Sequence, residues 1–482
     1  MNDNSITTNL IWRLLERFGA QGVTLIVSII LARILDPSTY GVVAIVMVIT
    51  TILQVFIDGG MGNALIQKKD VDDLDYSSVF YFNIAFSIIL YILLFIFSPI
   101  IANFYQNSQL TSYIRVLGIL LLISGLKNVI NAYISKTMQF KKYFFATLGG
   151  TIIAAIVGIF MAYKGYGAWA LIIQNIANQS IDCIILWFSI DWRPKFIFSM
   201  NRLKNLLNYG WKLFASSLLD VVWNKMRQII IGKKYTSSDL AFYDKAESFP
   251  IIMTDSLTSS INSVLFPSMS NRQDNIEKVK QLTKQAIKIG SFVIWPIMVG
   301  LAVCSDNWIR VILTDKWLPI VPYLKIFCIT YAFFPIHTAN LTAIKAVGRS
   351  DIFLKLEVIK KIVSLSLILF FMNYGIYALA ISCIIDCFIG LIINSYPNKK
   401  LLSYSFAEQI KDIIPSLILS MFMGVIVYCV GLINLPYLWL LILQIVTGII
   451  AYVSFCLIFK VDNFKYCLSL IKSLCNGYTK NK

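Results

Sequence analysis

The sequence predicts an all-α, polytopic membrane protein of about fourteen transmembrane helices, and three observations predict it. Composition comes first: 58% of the 482 residues are hydrophobic, 14% are charged, and the mean hydropathy is +0.73. Soluble domains carry roughly 25% charged residues, so this chain has more apolar surface than a soluble core could hide. Second, the apolar runs are about 20 residues long, the length that crosses the hydrocarbon layer as a helix. A β-barrel would show ~10-residue alternating segments instead. Third, the net charge of +17 is distributed between the apolar runs and not gathered on one soluble face. That is the pattern of a topology signal, and it argues against a nucleic-acid partner.

The spans fall near 10–34, 40–66, 79–101, 113–134, 145–163, 167–190, 206–232, 239–266, 287–305, 320–344, 353–371, 375–396, 412–433 and 436–459. The first run has no small-residue cleavage site and is read as an uncleaved span. Asp36-Pro37 ends it, because proline has no N–H with which to continue the helical ladder, and Gly41 eases the start of the second. No loop is much longer than about 25 residues, so no room is left for a separate soluble domain. About 24 Lys and Arg lie in the even-numbered loops and the tail, among them Lys68, Lys136, Arg202, Lys284 and Lys399, against about six on the other side, such as Arg33 and Lys233. The positive-inside rule puts the rich side, with both termini, in the cytoplasm.

The turn "LARILDPSTYGVVA" (Leu31–Ala44) has a counterpart about 200 residues later in "IGKKYTSSDLAFYDKA" (Ile231–Ala246), and "GYGAWALI" (Gly165–Ile172) resembles "NYGIYALA" (Asn373–Ala380). Two six-span units in the same orientation follow, related by a pseudo-two-fold axis along the membrane normal. The expected domains are a lobe at 1–204, a lobe at 205–400, two further helices at 401–459 and a basic amphipathic cytoplasmic tail at 460–482. The segment Asn275–Gly290 has the same amphipathic character and leads into span 9.

A charge in hydrocarbon costs at least ~2.5–3.5 kcal/mol, so charges within spans should face water or a partner. Span 1 carries Arg13, Glu16, Arg17, Gln21, Thr24 and Ser28 at helical spacing, and span 7 carries Asn208, Lys212, Ser216, Asp220, Asn224 and Arg227. Span 2 has Thr51, Gln54 and Asp58; span 8 has Asp244, Ser248, Asp255, Ser259 and Asn262. These are the first two spans of each unit, and the economical arrangement puts them around a wet cleft at the repeat interface. Arg13, Arg17, Lys212 and Arg227, with Gln54 and Asn224, form the candidate substrate cleft. Arginine offers a bidentate phosphate contact and lysine a point charge. The competing reading of Arg13, Arg17, Lys212 and Arg227 is snorkelling to the interface, with the cleft favoured for Arg17 and Lys212. Asp58, Asp220 and Asp255 are candidate ion-coupling carboxylates, for H⁺ or Na⁺, against a purely structural pairing with a neighbouring Lys or Arg.

The nine cysteines lie mostly in apolar runs and His337 is the single histidine. Cys383 and Cys387 are four apart, yet without a ligand set around them they read as small buried hydrophobes, so neither a metal nor a cofactor is expected.

"LARILDPSTYGVVAIVMVITTILQVFIDGGMGNALIQ" (Leu31–Gln67) and "GLAVCSDNWIRVILTDKWLPIVPYLKI" (Gly300–Ile326) resemble the polysaccharide-transporter branch of the MOP exporter superfamily, the Wzx-type flippases for O-antigen and colanic-acid units. The resemblance covers most of residues 1–400. It implies two six-helix lobes in a V, alternating access, and a substrate built on undecaprenyl pyrophosphate. Related lipid II flippases place arginines in spans 1, 2 and 8 of a central cavity. Arg13 and Arg17 match on span 1, and Lys212 on span 7 stands in for the arginines that spans 2 and 8 lack. The resemblance also implies a groove for the lipid tail along spans 13 and 14, and polysaccharide polymerase and chain-length proteins as further partners.

The expected function is therefore export of lipid-linked oligosaccharide units for surface polysaccharide, with no enzymatic step. The alternatives are an ion-coupled small-molecule antiporter of the same superfamily and a membrane-embedded polymerase or ligase. The first would favour a neutral or acidic cavity, and the second a large outer loop with clustered Arg, His and acids, which this chain lacks.

Overall fold

The computed structural model describes residues 19, 21–461 and 463–464, excluding the side chains of 256, 257 and 259–264. Among these residues the architecture is all-helical, as expected. It runs α1 (Gln21–Ile34), α2 (Pro37–Asp58), α3 (Met61–Gln67), α4 (Asp73–Phe104), α5 (Leu110–Leu117), α6 (Ile119–Thr137), α7 (Phe140–Tyr163), α8 (Ala168–Ser189), α9 (Met200–Lys234) and α10 (Ser237–Ser270). It continues with α11 (Ile276–Val303), α12 (Ser305–Ile312), a 3₁₀ turn (Asp315–Ile320), α13 (Val321–Ala332), α14 (Phe334–Ala346), α15 (Ser350–Phe371), α16 (Ile376–Leu401), α17 (Phe406–Gly431) and α18 (Tyr437–Ile458). Ten spans among the described residues are long and apolar enough to cross a membrane. Helices α9, α10 and α15 are at least as long as the shortest of these, but more polar.

Local chemistry accounts for the helix ends. Pro37 opens α2 at the first-turn position where its missing N–H costs nothing. Asp72 and Asp75 form a reciprocal capping box on α4, and Ser405 with Glu408 forms another on α17. Three expected spans are divided: span 4 at Gly118, between α5 and α6, and spans 2 and 10. Span 2 divides at Gly59 and Gly60, whose φ values of 47° and 69° belong to the left-handed region that glycine enters without a Cβ penalty. Span 10 divides at Phe333, because Pro335 has no N–H to donate to the turn before it.

The chain forms two compact units, Met1–Ala241 and Phe242–Lys482. The division lies beyond residue 204, the repeat boundary read from the sequence, since α9 packs on α2, α3 and α4 of the first unit. In unit one α3, the start of α4, α6, the end of α8 and the start of α9 enclose a core that includes Met61, Leu65, Tyr76, Phe80, Trp192 and Leu206. In unit two, α11, α17 and α18 close on Phe292, Met423, Val427 and Tyr452. A buried amide network fastens α17 to its neighbours: Asn340 donates to Gln409 at 2.7 Å and accepts from Asn398 at 2.6 Å, and Ser395 donates to Gln409 at 2.9 Å. Outward, α4 exposes Ile88, Ile92, Ile96 and Ile100, and α18 exposes Leu438, Ile442, Ile449 and Val453. Such continuous apolar faces suit lipid and would be a liability in water.

Candidate functional site

Unit one brings α2 and α9 side by side in opposite directions, and glycines let their backbones meet. A Cβ on Gly41 would lie 1.6 Å from the Ser237 carbonyl oxygen, and one on Gly60 would lie 2.2 Å from that of Gly210. Between these ends, Gly232 sits against the Ile45 side chain, and Phe56 meets Phe214 edge-on with ring centroids 5.1 Å apart. Helix α9 buries Leu203, Leu206 and Gly210 near its start and Gln228, Ile231 and Gly232 near its end. Its middle is left open, and there Lys212, Ser216, Asp220 and Asn224 are exposed at four-residue intervals, with Arg227 half-buried one turn on. At ~100° per residue these positions form one face of the helix. A lipid-facing surface would be apolar; this one is polar through the middle of a 35-residue helix.

The other candidates are placed as follows. Arg13 and Arg17 lie outside the described residues. Gln54 is half-buried on α2, and Asp58 is exposed at the last residue of that helix, where the break at Gly59 begins. Asp255 is exposed on α10, within unit two. The structure thus gathers Lys212, Asp220, Asn224 and Arg227 on one helix face and sets Gln54 and Asp58 on the helix packed beside it. No His, Cys, Asp and Glu cluster of metal-binding kind occurs among the described residues. Cys383 is buried and within 3.4 Å of the Tyr243 hydroxyl, and Cys387 donates to the Thr330 carbonyl at 3.4 Å.

Several polar groups paired between or along the helices are not singled out by the sequence. In unit one the Lys127 ammonium is bound by the Asp182 carboxylate and by Gln179 Oε1 at 3.0 Å, with Asn178 donating to Thr151 at 3.5 Å nearby. In unit two Tyr331 donates to Glu247 at 3.0 Å, Ser364 to Asp386 at 2.7 Å and Lys360 to Glu357 at 2.6 Å, while Asn394 is 2.9 Å from His337 Nδ1. The available signal was a charge inside an apolar run. That signal was present at Lys127 and Asp182, since each belongs to a polar stripe of its own helix: Ser124, Lys127, Asn128 and Asn131 on α6, and Gln174, Asn175, Asn178, Gln179 and Asp182 on α8.

Unit two holds an apolar cavity of about 380 Å³ between α11, α17 and α18, lined by Ile297, Leu301, Met423, Ile445 and Ile449 among others. Gln444, one of its few polar groups, is engaged: it accepts from Asn307 at 2.9 Å and donates to the Val427 carbonyl at 3.3 Å.

Residues 30–322 match the family model described as polysaccharide biosynthesis protein. The chain belongs to that family. Both segments that carried the resemblance, Leu31–Gln67 and nearly all of Gly300–Ile326, fall within the match. Curated relatives include the teichuronic acid biosynthesis protein TuaB of Bacillus subtilis, 26% identical over 63% of this chain and 63% of its own length. The lipopolysaccharide biosynthesis protein WzxC of Escherichia coli is 23% identical over 84% of this chain and 85% of its own. Among solved structures, the lipid II flippase MurJ in an inward closed conformation aligns with a TM-score of 0.77 at 20% identity, covering 94% of this chain and 99% of that one. An inward-facing multidrug MATE transporter of the MOP superfamily aligns at 0.63 and 14% identity, covering 82% and 98%. At those identities the family member shares their fold.

Proposed function

We propose that this protein flips undecaprenyl-pyrophosphate-linked oligosaccharide units across the bacterial inner membrane by alternating access, supplying surface polysaccharide synthesis. The observation that carries the reading is the polar face of α9, in a chain of the polysaccharide biosynthesis family whose α4 and α18 expose apolar faces. A lipid-linked glycan has a charged, hydroxyl-rich head and a hydrocarbon tail, so its carrier needs a wet track and a greasy one. Lys212, with Arg13 and Arg17, draws the pyrophosphate, and Ser216, Asn224 and Gln54 offer hydrogen bonds to sugar hydroxyls. The apolar cavity of unit two is suited to the prenyl tail, since its lining is as apolar as the lipid the tail leaves and the transfer costs little. The head is relocated with no bond made or broken, so the role is transport and not catalysis.

Coupling to H⁺ or Na⁺ through Asp58, Asp220 or Asp255 completes the scheme. A carboxylate that changes charge inside the membrane alters the cost of exposing its helix to either side. Both termini are cytoplasmic in this reading, and the polymerase and chain-length proteins that act on the exported unit are its partners. Complementation of a flippase-null strain, with surface glycan as the readout, tests the proposal. Arg17→Ala with Lys212→Ala abolishes glycan at normal protein level if the reading is right, and full export by the double variant removes the phosphate-capture role. Asp220→Asn and Asp255→Asn shift the ion dependence of export; no change in either excludes coupling there.

A further inference from the structure

The polar face of α9 does not begin at Lys212. Arg202, Asn205 and Tyr209 precede it at spacings of three and four, so the face runs continuously from the first turn of the helix through Asn224. Those first residues line a second cavity of about 380 Å³ in unit one, together with Gln67 and Lys68 at the end of α3. The volume falls in the range of small-molecule sites, and the lining differs sharply from that of the apolar cavity in unit two. It offers a guanidinium, an ammonium, two carboxamides and a phenol, the groups that recognise a phosphate ester joined to a sugar. Gly60 and Gly210 touch immediately beyond it, so the cavity lies at the end of the α2–α9 contact that the basic-loop pattern assigns to the cytoplasm.

The two cations are pre-positioned. Asp75, fully buried, binds the Lys68 ammonium through Oδ2, while its Oδ1 has no hydrogen bond. The Arg202 guanidinium stands 3.7 Å from that Oδ1 and 3.4 Å from Asp72, longer than the ~2.7–2.9 Å of a charge-assisted hydrogen bond. Arg202 is therefore held in place without having its fork filled. The two carboxylates also keep the empty cavity close to neutral, so a dianion entering it displaces a partner and gains only part of its interaction energy. A site on a transport path requires that balance, firm enough to capture and weak enough to release.

We propose that this cavity is a loading site that takes the diphosphate and first sugar of the lipid-linked unit from the cytoplasmic leaflet before the head moves along α9 to Lys212. The inference rests on the flippase reading and adds to it a place and a sequence of contacts. Arg202 grips two phosphate oxygens, Lys68 adds a point charge, and Gln67, Asn205 and Tyr209 meet the sugar.

The test uses the full-length protein in phosphatidylcholine nanodiscs carrying Asn205→Cys or Asn224→Cys. Maleimide labelling of each new cysteine is followed by peptide mass spectrometry, with geranylgeranyl diphosphate as the probe. The expected result is at least a fivefold slowing of labelling at 205 that is lost in Arg202→Gln and partly regained in Arg202→Lys. Gln67→Ala with Tyr209→Ala, the pair assigned to the sugar, leaves the protection by this sugar-free probe unchanged; a loss as large as that of Arg202→Gln would place the pair on the diphosphate and overturn the division of contacts. Protection at 224 but not at 205 overturns the loading site and leaves the flippase reading standing; protection at neither overturns both. Equal protection at 205 by inorganic pyrophosphate, or by phosphatidylglycerol alone in the disc, shows a free-anion or structural-lipid site and also overturns the proposal.

Discussion

Lys127 and Lys212 are both lysines in long helices of unit one, and their surroundings are opposite. Lys127, on α6, is 8% exposed and bound by Asp182 and Gln179 from α8. Lys212, on α9, is exposed and continues a row of exposed polar side chains. The first lysine is consumed by its own fold; the second is offered outward. The difference teaches that charge inside an apolar run has two meanings, and that only the neighbours distinguish an internal fastening from a binding surface.

That comparison can be broken or sharpened experimentally. The largest effect is expected at Lys127: Lys127→Met leaves Asp182 buried without its cation and should cost about 3–5 kcal/mol, whereas Lys127→Met with Asp182→Leu should recover most of it. Thermal unfolding in detergent reads both, and a double variant no better than the single would show that the pair is not self-contained. Next comes Gly60→Ala, which drives a methyl into the Gly210 carbonyl at a left-handed position and should destabilise by roughly 1–3 kcal/mol. Lys212→Leu should do the reverse of Lys127→Met. We expect at least a tenfold fall in glycan export, with a stability change within about 0.5 kcal/mol, as for a surface substitution. A large loss of thermal stability would place Lys212 with Lys127 among the structural lysines.

The smallest effect concerns pH. The Asp75 backbone N–H, helped by the Asp75 side chain and by Arg202 and Lys68, holds the Asp72 carboxyl below its ordinary range. A depressed carboxylate stabilises the fold above its unfolded pKa, ~3.9, and that contribution is lost as pH falls through the lower folded value. The melting-temperature advantage of the native protein over Asp72→Asn should therefore be constant at neutral pH and shrink below about pH 4. An advantage unchanged at pH 3 would exclude the mechanism.

Legibility in the sequence followed periodicity. The α9 face was readable because Lys212, Ser216, Asp220 and Asn224 repeat every four residues, and one helix geometry converts that spacing into a surface. The Lys127–Asp182 pair was not, because its two halves are 55 positions apart and a polar stripe on each span does not show that the two stripes face each other. The cavity near Arg202 was hidden for a related reason: Arg202 and Lys68 looked like ordinary topology signals in separate loops. That α2 ends at Asp58 was likewise hidden, since the spacing of polar residues in span 2 does not show that the helix stops there.

By itself, then, the sequence determined the membrane class, the helical fold, the turn at Asp36-Pro37 and the polar face of α9, all consequences of composition and of interactions within a few residues. Tertiary structure alone decided where polar groups from distant spans meet. It placed Lys127 on Asp182, Gly60 on Gly210, and Arg202 beside Lys68, Asp72 and Asp75. Burial of a charge is tolerable only beside its partner, and backbones touch only where no Cβ intervenes. Both conditions are set by packing across the unit, which a single chain of letters does not display.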